Sequence, residues 1–316
     1  MSAPATAAPR AIVFAYHDVG VRCLRVLLDA GVQVALVVTH PDAPGETIWF
    51  DSVARLAQEH GLPVAMPADP HDPELLRRAA EVRPDFLFAF YYRHMLRREW
   101  LELPTRGAFN MHGSLLPRYR GRVPVNWAII HGERETGATL HRMNEKPDNG
   151  AIVDQCAVPI LLDDTAREVF AKVTVAAEIV LARSLPNLID GTATEWPQDL
   201  SQGGYFGGRR PEDGRIPAQA SASQIHDLVR ALAPPYPCAF IDVTGSRVLN
   251  ERTSLRHTHA SWPVGTLRLC ADAGQLWLAA ADGSAVQVLS ARVDDKPLAA
   301  GDLHTLFGAS TACADA

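Results

Sequence analysis

The chain lacks a run of about 18 apolar residues, the length a membrane-crossing helix needs. Its N-terminus, M-S-A-P-A-T-A-A-P-R, lacks an apolar signal core, so no signal peptide is expected. Cysteine is scarce and scattered: Cys23, Cys156, Cys238, Cys270 and Cys313 are odd in number and never spaced as C-x-x-C. That argues against a disulfide framework and against a zinc site, and the simplest setting is the reducing cytoplasm. Positive charge is not in excess either. Thirty Lys and Arg against 36 Asp and Glu leave a net −6, so no overall field draws in nucleic acid. The first apolar run is followed by one glycine, Gly20, rather than G-x-G-x-x-G, which speaks against a tightly bound dinucleotide. No internal repeat is visible.

What is present describes a globular chain. It has 316 residues, 47% hydrophobic and 21% charged, which suggests about two domains with a sizeable core. Residues 1–10 are rich in Ala and Pro and read as disordered. Short apolar runs at 11–16, 32–38, 86–91 and 108–112 read as buried strands, with helical spacing at 21–30, 50–60 and 73–81 between them. That alternation predicts an α/β fold with a Rossmann-like, mainly parallel sheet covered on both faces. A helix over 124–131, strands over 138–143 and 151–160, and a long helix to residue 190 follow. Thr165 and Glu168 form a capping-box pattern for that helix, and Gly191 ends it. Residues 11–200 thus make one domain. Residues 201–222 read as a linker with a functional loop, and 223–310 as a small β domain, barrel or sandwich, with turns at 244–245, 272–274 and 282–283.

One stretch carries chemistry. Residues 110–122 read N-M-H-G-S-L-L-P-R-Y-R-G-R, and D-N-G-A begins at Asp148. Strand alternation sends Asn110 and His112 to one face at the carboxyl end, where open α/β sheets bind ligands. An amide N–H can hold a developing oxyanion, a role worth about 3–4 kcal/mol. An imidazole can move a proton, and a nearby carboxylate orients it and favours its charged form. The set suits direct attack of an amine on a carbonyl carbon with no Ser or Cys nucleophile. D-N-G is equally a turn signal, and most of the twelve histidines are surface or structural residues on such a count.

The run N-M-H-G-S-L-L-P-R-Y-R-G-R-V-P-V-N-W with the later D-N-G-A resembles the folate-dependent formyltransferases. The resemblance makes Asn110, His112 and Asp148 the catalytic set. It implies 10-formyltetrahydrofolate as donor, contacted around His94, Met95 and Leu96, along Asn144, Glu145, Lys146 and Pro147 to Asp148, and by Arg122. For Arg118 and Arg120 a solvated basic loop is as good a reading. The resemblance also implies an OB-like barrel for the C-terminal domain. It extends over V-F-A-Y-H-D-V-G, T-H-P-D-A-P-G-E, F-Y-Y-R-H, T-G-A-T-L-H-R-M and F-G-G-R-R-P-E-D-G. It is nearest to members that formylate the 4-amine of UDP-4-amino-4-deoxy-L-arabinose for lipid A modification. The decarboxylase half that often accompanies them would then be carried by another polypeptide.

Partners follow from this: a UDP-amino sugar and a folate, with no metal, no nucleic acid and no membrane insertion. Another amino-sugar nucleotide or methionyl-tRNA is the alternative acceptor; against the second, residues 40–51, H-P-D-A-P-G-E-T-I-W-F-D, hold none of the Lys or Arg that a phosphate backbone needs. Tyr16, His17 and Asp18 follow the first strand and could line the acceptor pocket or form a turn. Arg209 and Arg210 could clamp a diphosphate or be solvated charges. Another class, a non-catalytic folate- or nucleotide-binding regulator, is opposed by the intact Asn110, His112 and Asp148. Oligomeric state is not readable.

Overall fold

Each apolar run of the N-terminal half becomes a buried strand. The computed structural model describes residues 8–42, 45, 47–255, 262 and 264–315. Most of the N-terminal segment expected to be disordered lies outside them. Within them the first strand opens at Arg10, whose amide donates to the Asp85 carboxylate.

The chain divides into two units. The first holds residues up to 124 with 136–158 and 171–206; the second holds 125–135, 159–170 and the rest. In the first unit the strands are β1 (Arg10–Ala15), β2 (Gln33–Val38), β3 (Val64–Ala65), β4 (Phe86–Phe90) and β5 (Gly107–His112). Next come the short β6 (Arg120–Gly121), then β7 (Glu135–Arg142), β8 (Ile152–Pro159) and β9 (Tyr205–Phe206). The main sheet runs β3-β2-β1-β4-β5-β7-β8. Strands β3 to β5 are parallel, and β7 lies antiparallel to β5. The order reverses between β1 and β4, so their carboxyl ends frame the crevice expected of a doubly wound sheet.

The helices form where caps and apolar faces coincide. They are α1 (His17–Asp29), α2 (Val53–Glu59), α3 (Pro73–Val82), α4 (Arg98–Leu101), α5 (Pro124–Ile130) and α6 (Ala166–Asp190). Asp72 caps α3 by accepting from the Glu74 and Leu75 amides, with Pro73 in the first turn. The Thr165–Glu168 box closes as expected, the Thr165 amide donating to Glu168 at 2.7 Å. Under the sheet, Ile12, Phe14, Leu36, Leu87, Leu96, Trp100 and Ala108 share one core cluster, and Tyr92 and Met143 pack on it.

The second unit carries α7 (Ala222–Ala231), β10 (Ala239–Val243), β11 (Ser246–Ser254), β12 (Arg268–Asp272), β13 (Gln275–Ala279), β14 (Ala285–Val293), β15 (Lys296–Pro297), α8 (Leu303–Phe307) and β16 (Thr311–Cys313). The antiparallel order is β10-β11-β14-β13-β12-β16. The Asp315 amide just past β16 donates to the Asp242 carbonyl of β10 at 2.7 Å, so the sheet nearly closes into a barrel.

Two sequence boundaries move. Residues 125–135 and 159–170 group with the C-terminal unit because long-range bonds hold them there. The Asn126 side chain donates to the Ala231 carbonyl at 2.7 Å, and the Ile160 amide to the Arg134 carbonyl at 2.8 Å. The expected linker 201–222 is ordered structure. Its start belongs to the first unit, where β9 pairs with β6 and Arg120 donates to the Leu200 and Gly203 carbonyls. All five cysteines are free thiols. Among the described residues no helix is long and apolar enough to cross a membrane.

Candidate active site

The site grows from the register of β5 against β7. Asn110 pairs with His141 and His112 with Thr139, so the polar alternation of two strands falls on one face. Beyond β5 the loop 113–121 is staked down from beneath. The Thr139 hydroxyl donates to the Ser114 carbonyl at 2.6 Å and accepts from the Leu116 amide at 3.1 Å, and Gln155 bridges Thr139 and the Leu116 carbonyl. Gly121 then turns back with φ of +101°, a conformation that favours glycine. A Cβ there would stand 2.1 Å from the Phe206 carbonyl oxygen.

Asp148 arrives from the other side. Its backbone is left-handed at φ +52°, a costly state for a residue other than glycine. The Gln198 side chain secures this D-N-G turn by donating to the Asp148 and Gly150 carbonyls at 3.1 and 2.7 Å. The turn is therefore real, and it also serves as a platform for the carboxylate. Asp148 Oδ1 lies 3.4 Å from His112 Nδ1, and Oδ2 accepts the Gly121 amide at 2.8 Å. Burial raises the Asp148 carboxyl, but the His112 and His141 imidazoles and then the Gly121 N–H overcome this and hold it well below the ordinary carboxylate range. His112 is 6% exposed, and its Nε2 donates to the Tyr119 carbonyl at 2.8 Å. Both ring nitrogens thus face acceptors.

Asn110 completes the set. Its Nδ2 lies 3.0 Å from His141 Nε2 and 3.5 Å from Asp148 Oδ1. These two acceptors are only 3.6 Å apart. The nitrogen end of the Asn110 amide, not its oxygen, therefore faces this pair of acceptors.

The remaining expected residues fall into groups. Leu96 is buried in the core while His94 and Met95 stand exposed above it. The Met95 carbonyl accepts from His71 Nε2 at 3.0 Å, and a groove lined by Met66, Asp69, His71 and Arg78 opens there. His94 stacks on His40 at 5.0 Å, and His40 on Tyr92 at 4.1 Å. Asn144, Glu145 and Lys146 are exposed and Pro147 half-buried; Met143 before them packs on the cluster that holds Leu96. Tyr16 is buried, donates to Asp42 at 3.1 Å and lies under the Arg93 guanidinium. His17 stacks on Phe50 at 3.8 Å, and Asp18 accepts the Asp51 amide at 2.8 Å. Arg122 is exposed, its amide bonded to the Phe206 carbonyl.

Arg209 and Arg210 belong to the second unit. Arg209 lies over the Trp127 ring at 4.7 Å, and burial lowers its pKa from the usual value. Its Nε is buried and without a partner. Arg210 is exposed, its amide capped by Asp213. Arg120 donates to the Leu200 and Gly203 carbonyls. Sequence reasoning missed His141, the Gly121 amide and the Tyr119 carbonyl. The run T-G-A-T-L-H-R-M held the signal for the first, since alternation puts Thr139 and His141 on one face. Among the described residues no group of three or more His, Cys, Asp or Glu is gathered to hold a metal ion.

An amide and an imidazole leaving one strand end, met by an ionised carboxylate on a strained turn, define a group-transfer enzyme. A family model described as "Formyl transferase" matches residues 20–185, and one described as "Formyl transferase, C-terminal domain" matches 209–304. The chain belongs to the formyl transferase family. Solved structures share the fold. WlaRD, a sugar 3N-formyl transferase determined with dTDP and 5-N-formyl-THF, is 18% identical with a TM-score of 0.70, covering 92% of this chain and 100% of that one. An N-formyltransferase from Helicobacter canadensis, complexed with folinic acid and dTDP-3-aminofucose, is 20% identical with a TM-score of 0.71, covering 89% and 98%. HypX from Aquifex aeolicus, in complex with tetrahydrofolic acid, is 19% identical with a TM-score of 0.62, covering 95% of this chain and 47% of that one.

Proposed function

We propose that this protein transfers a formyl group from 10-formyltetrahydrofolate to the amine of an amino-sugar nucleotide, in the cytoplasm. The carrying observation is the convergence of Asn110, His112 and Asp148 on one strand end. Asn110 donates a side-chain N–H to the formyl oxygen as negative charge develops there. His112, oriented by Asp148, gives a ring proton to the nitrogen that leaves and, having lost it, takes up the proton that the attacking amine gives up. The carbon–nitrogen bond made to the acceptor replaces the one broken in the donor, and protons balance without a metal.

The residues present suit a folate. Leu96 anchors a segment whose His94 and Met95 remain exposed, and the exposed 144–147 loop starts from the same core cluster. Arg122 would meet the donor beside it. Tyr16, His17 and Asp18 are assigned to the acceptor, at the carboxyl end of β1. Arg209 and Arg210 are assigned to its diphosphate, the unpartnered Arg209 Nε supporting the first. The sugar we favour is UDP-4-amino-4-deoxy-L-arabinose, from the sequence resemblance. The similar structures that carry dTDP and dTDP-3-aminofucose make other amino-sugar nucleotides the rival acceptors.

The test incubates pure protein with donor and, in turn, UDP-4-amino-4-deoxy-L-arabinose, dTDP-3-aminofucose and methionyl-tRNA, following product mass. Formylated UDP-sugar as the preferred product is expected. No formylated sugar nucleotide, or preferred turnover of tRNA, overturns the reading.

A further inference from the structure

From the β5–β7 register and its hydrogen bonds we infer that His141 is a positioning residue: its Nε2 accepts a hydrogen bond from the Asn110 side-chain N–H and thereby fixes which way the Asn110 amide faces. This rests on the reading of Asn110 as the oxyanion donor. His141 lies directly opposite Asn110 across the strands and is 2% exposed, out of reach of substrate. Its Nδ1 lies 2.9 Å from the Arg142 carbonyl oxygen. A carbonyl can only accept, so Nδ1 carries the hydrogen. That oxygen is held in place, because the Arg142 amide donates to the Ala151 carbonyl and its guanidinium pairs with Glu195.

In the tautomer with its hydrogen at Nδ1 the ring offers a lone pair at Nε2, and the atom 3.0 Å away donates to it. Of the two ends of a carboxamide, only Nδ2 donates. The second neighbour of that atom gives the same answer independently. Asp148 Oδ1 lies 3.5 Å from it and belongs to a carboxylate that stays ionised, so it too requires a donor. Asp148 Oδ1 also lies 3.6 Å from His141 Nε2, but the Asn110 Nδ2 is nearer to that nitrogen at 3.0 Å and takes the bond. Rotation of the amide by half a turn would point its oxygen at a lone pair and a carboxylate together. His141 therefore keeps the nitrogen end of the Asn110 amide, and with it the N–H donors the reaction needs, turned into the site. The role explains why an imidazole stands in the buried face of β7, where an apolar residue would pack without a partner.

The test uses His141→Leu and His141→Gln in the full chain. Leucine removes the acceptor; glutamine offers its side-chain oxygen in its place. We expect kcat of the leucine variant to fall roughly 10- to 100-fold, below the about 10²–10³-fold ceiling for losing an oxyanion donor outright. KM for donor and acceptor should stay within about threefold, and glutamine should recover most of the rate. A KM change without a kcat change, or failure of glutamine to recover activity in protein of wild-type melting temperature, overturns the assignment. A second readout does not depend on turnover. In the nitrogen NMR spectrum of histidine-labelled protein, the resonances lost in His141→Gln should report a hydrogen on Nδ1 and none on Nε2. A hydrogen on Nε2 contradicts the inference even if the enzyme is active. If the wild type formylates nothing while the Nδ1 tautomer is observed, the functional reading fails and the hydrogen-bond assignment stands.

Discussion

Two buried histidines, one in each unit, show how differently the same side chain is used. His226 in α7 is 1% exposed, and its ring bonds the Thr253 hydroxyl at Nδ1 and the Leu162 carbonyl at Nε2, both at 2.9 Å, with the exposed Asp163 carboxylate 3.8 Å from Nε2. Beside it Arg230 pairs with Asp227 and donates to the Leu161 and Asp164 carbonyls. That cluster ties residues 161–164 to the C-terminal barrel and leaves no reactive atom. His112 is nearly as buried, but one of its nitrogens faces an ionised carboxylate that a left-handed turn holds in place. The difference lies in the carboxylate: that of Asp148 is buried and 3.4 Å from His112, whereas that of Asp163 is exposed and 3.8 Å from His226.

The sharpest way to break the comparison is to remove each charge partner. His112→Ala should lower turnover roughly 10²–10⁴-fold. Asp148→Asn should lower it comparably, read as initial rates at saturating substrates. The aspartate also carries a signature in stability. Its folded-state pKa lies below the ordinary 3.8, so its contribution is present above that value and lost as pH falls through the folded value. Wild type should therefore melt above Asp148→Asn near neutrality, and the gap should close as the pH falls below about 4. A gap that is constant down to strongly acidic pH would remove the ionised carboxylate from the account.

The mirror experiment is His226→Leu. It strands a hydroxyl and a carbonyl, so a stability loss of about 2–4 kcal/mol by denaturant titration is expected. The rate per folded molecule should change less than about twofold, well under the general acid–base range. A rate loss matching that of His112→Ala would erase the distinction between the two histidines.

Arg209→Ala and Arg210→Ala probe a smaller effect. If they hold the acceptor diphosphate, KM for the sugar nucleotide should rise about tenfold at unchanged kcat, the pattern of lost uniform binding. An unchanged KM for both leaves them as structural charges. The mildest change is Tyr92→Phe. The Tyr92 hydroxyl is buried without a partner, and burial with the Asp69 charge pushes its pKa up to about 12. The folded value is raised, so stability is intact below the ordinary 10 and declines as pH rises toward 12. Phenylalanine should match or slightly exceed wild type at pH 7 and flatten that alkaline decline, as seen in thermal melts.

Local patterns made much of this legible. The apolar runs at 11–16 and 86–91 announced a parallel sheet because both faces of those strands are covered. Alternation over 108–112 placed Asn110 and His112 together without knowledge of their neighbours. What escaped depends on long-range register. That His141 faces Asn110 follows from how β7 slides along β5, which residues 135–142 alone do not encode. The two-residue pairing of β6 with β9 is too short to leave a pattern. Segments 125–135 and 159–170 join the second unit through single bonds such as Asn126 to Ala231, invisible to composition. Asp148 lay between: D-N-G announced a turn, and only the fold shows the turn carrying a carboxylate to the imidazole.

The most direct test of the central claim is single-turnover transfer from 10-formyltetrahydrofolate to UDP-4-amino-4-deoxy-L-arabinose by wild type and Asp148→Asn, with donor binding measured in parallel. The account predicts roughly a 10²–10⁴-fold slower transfer in the variant with donor affinity changed less than about threefold. Equal transfer rates in the two proteins, or a rate loss explained wholly by weaker donor binding, would contradict it.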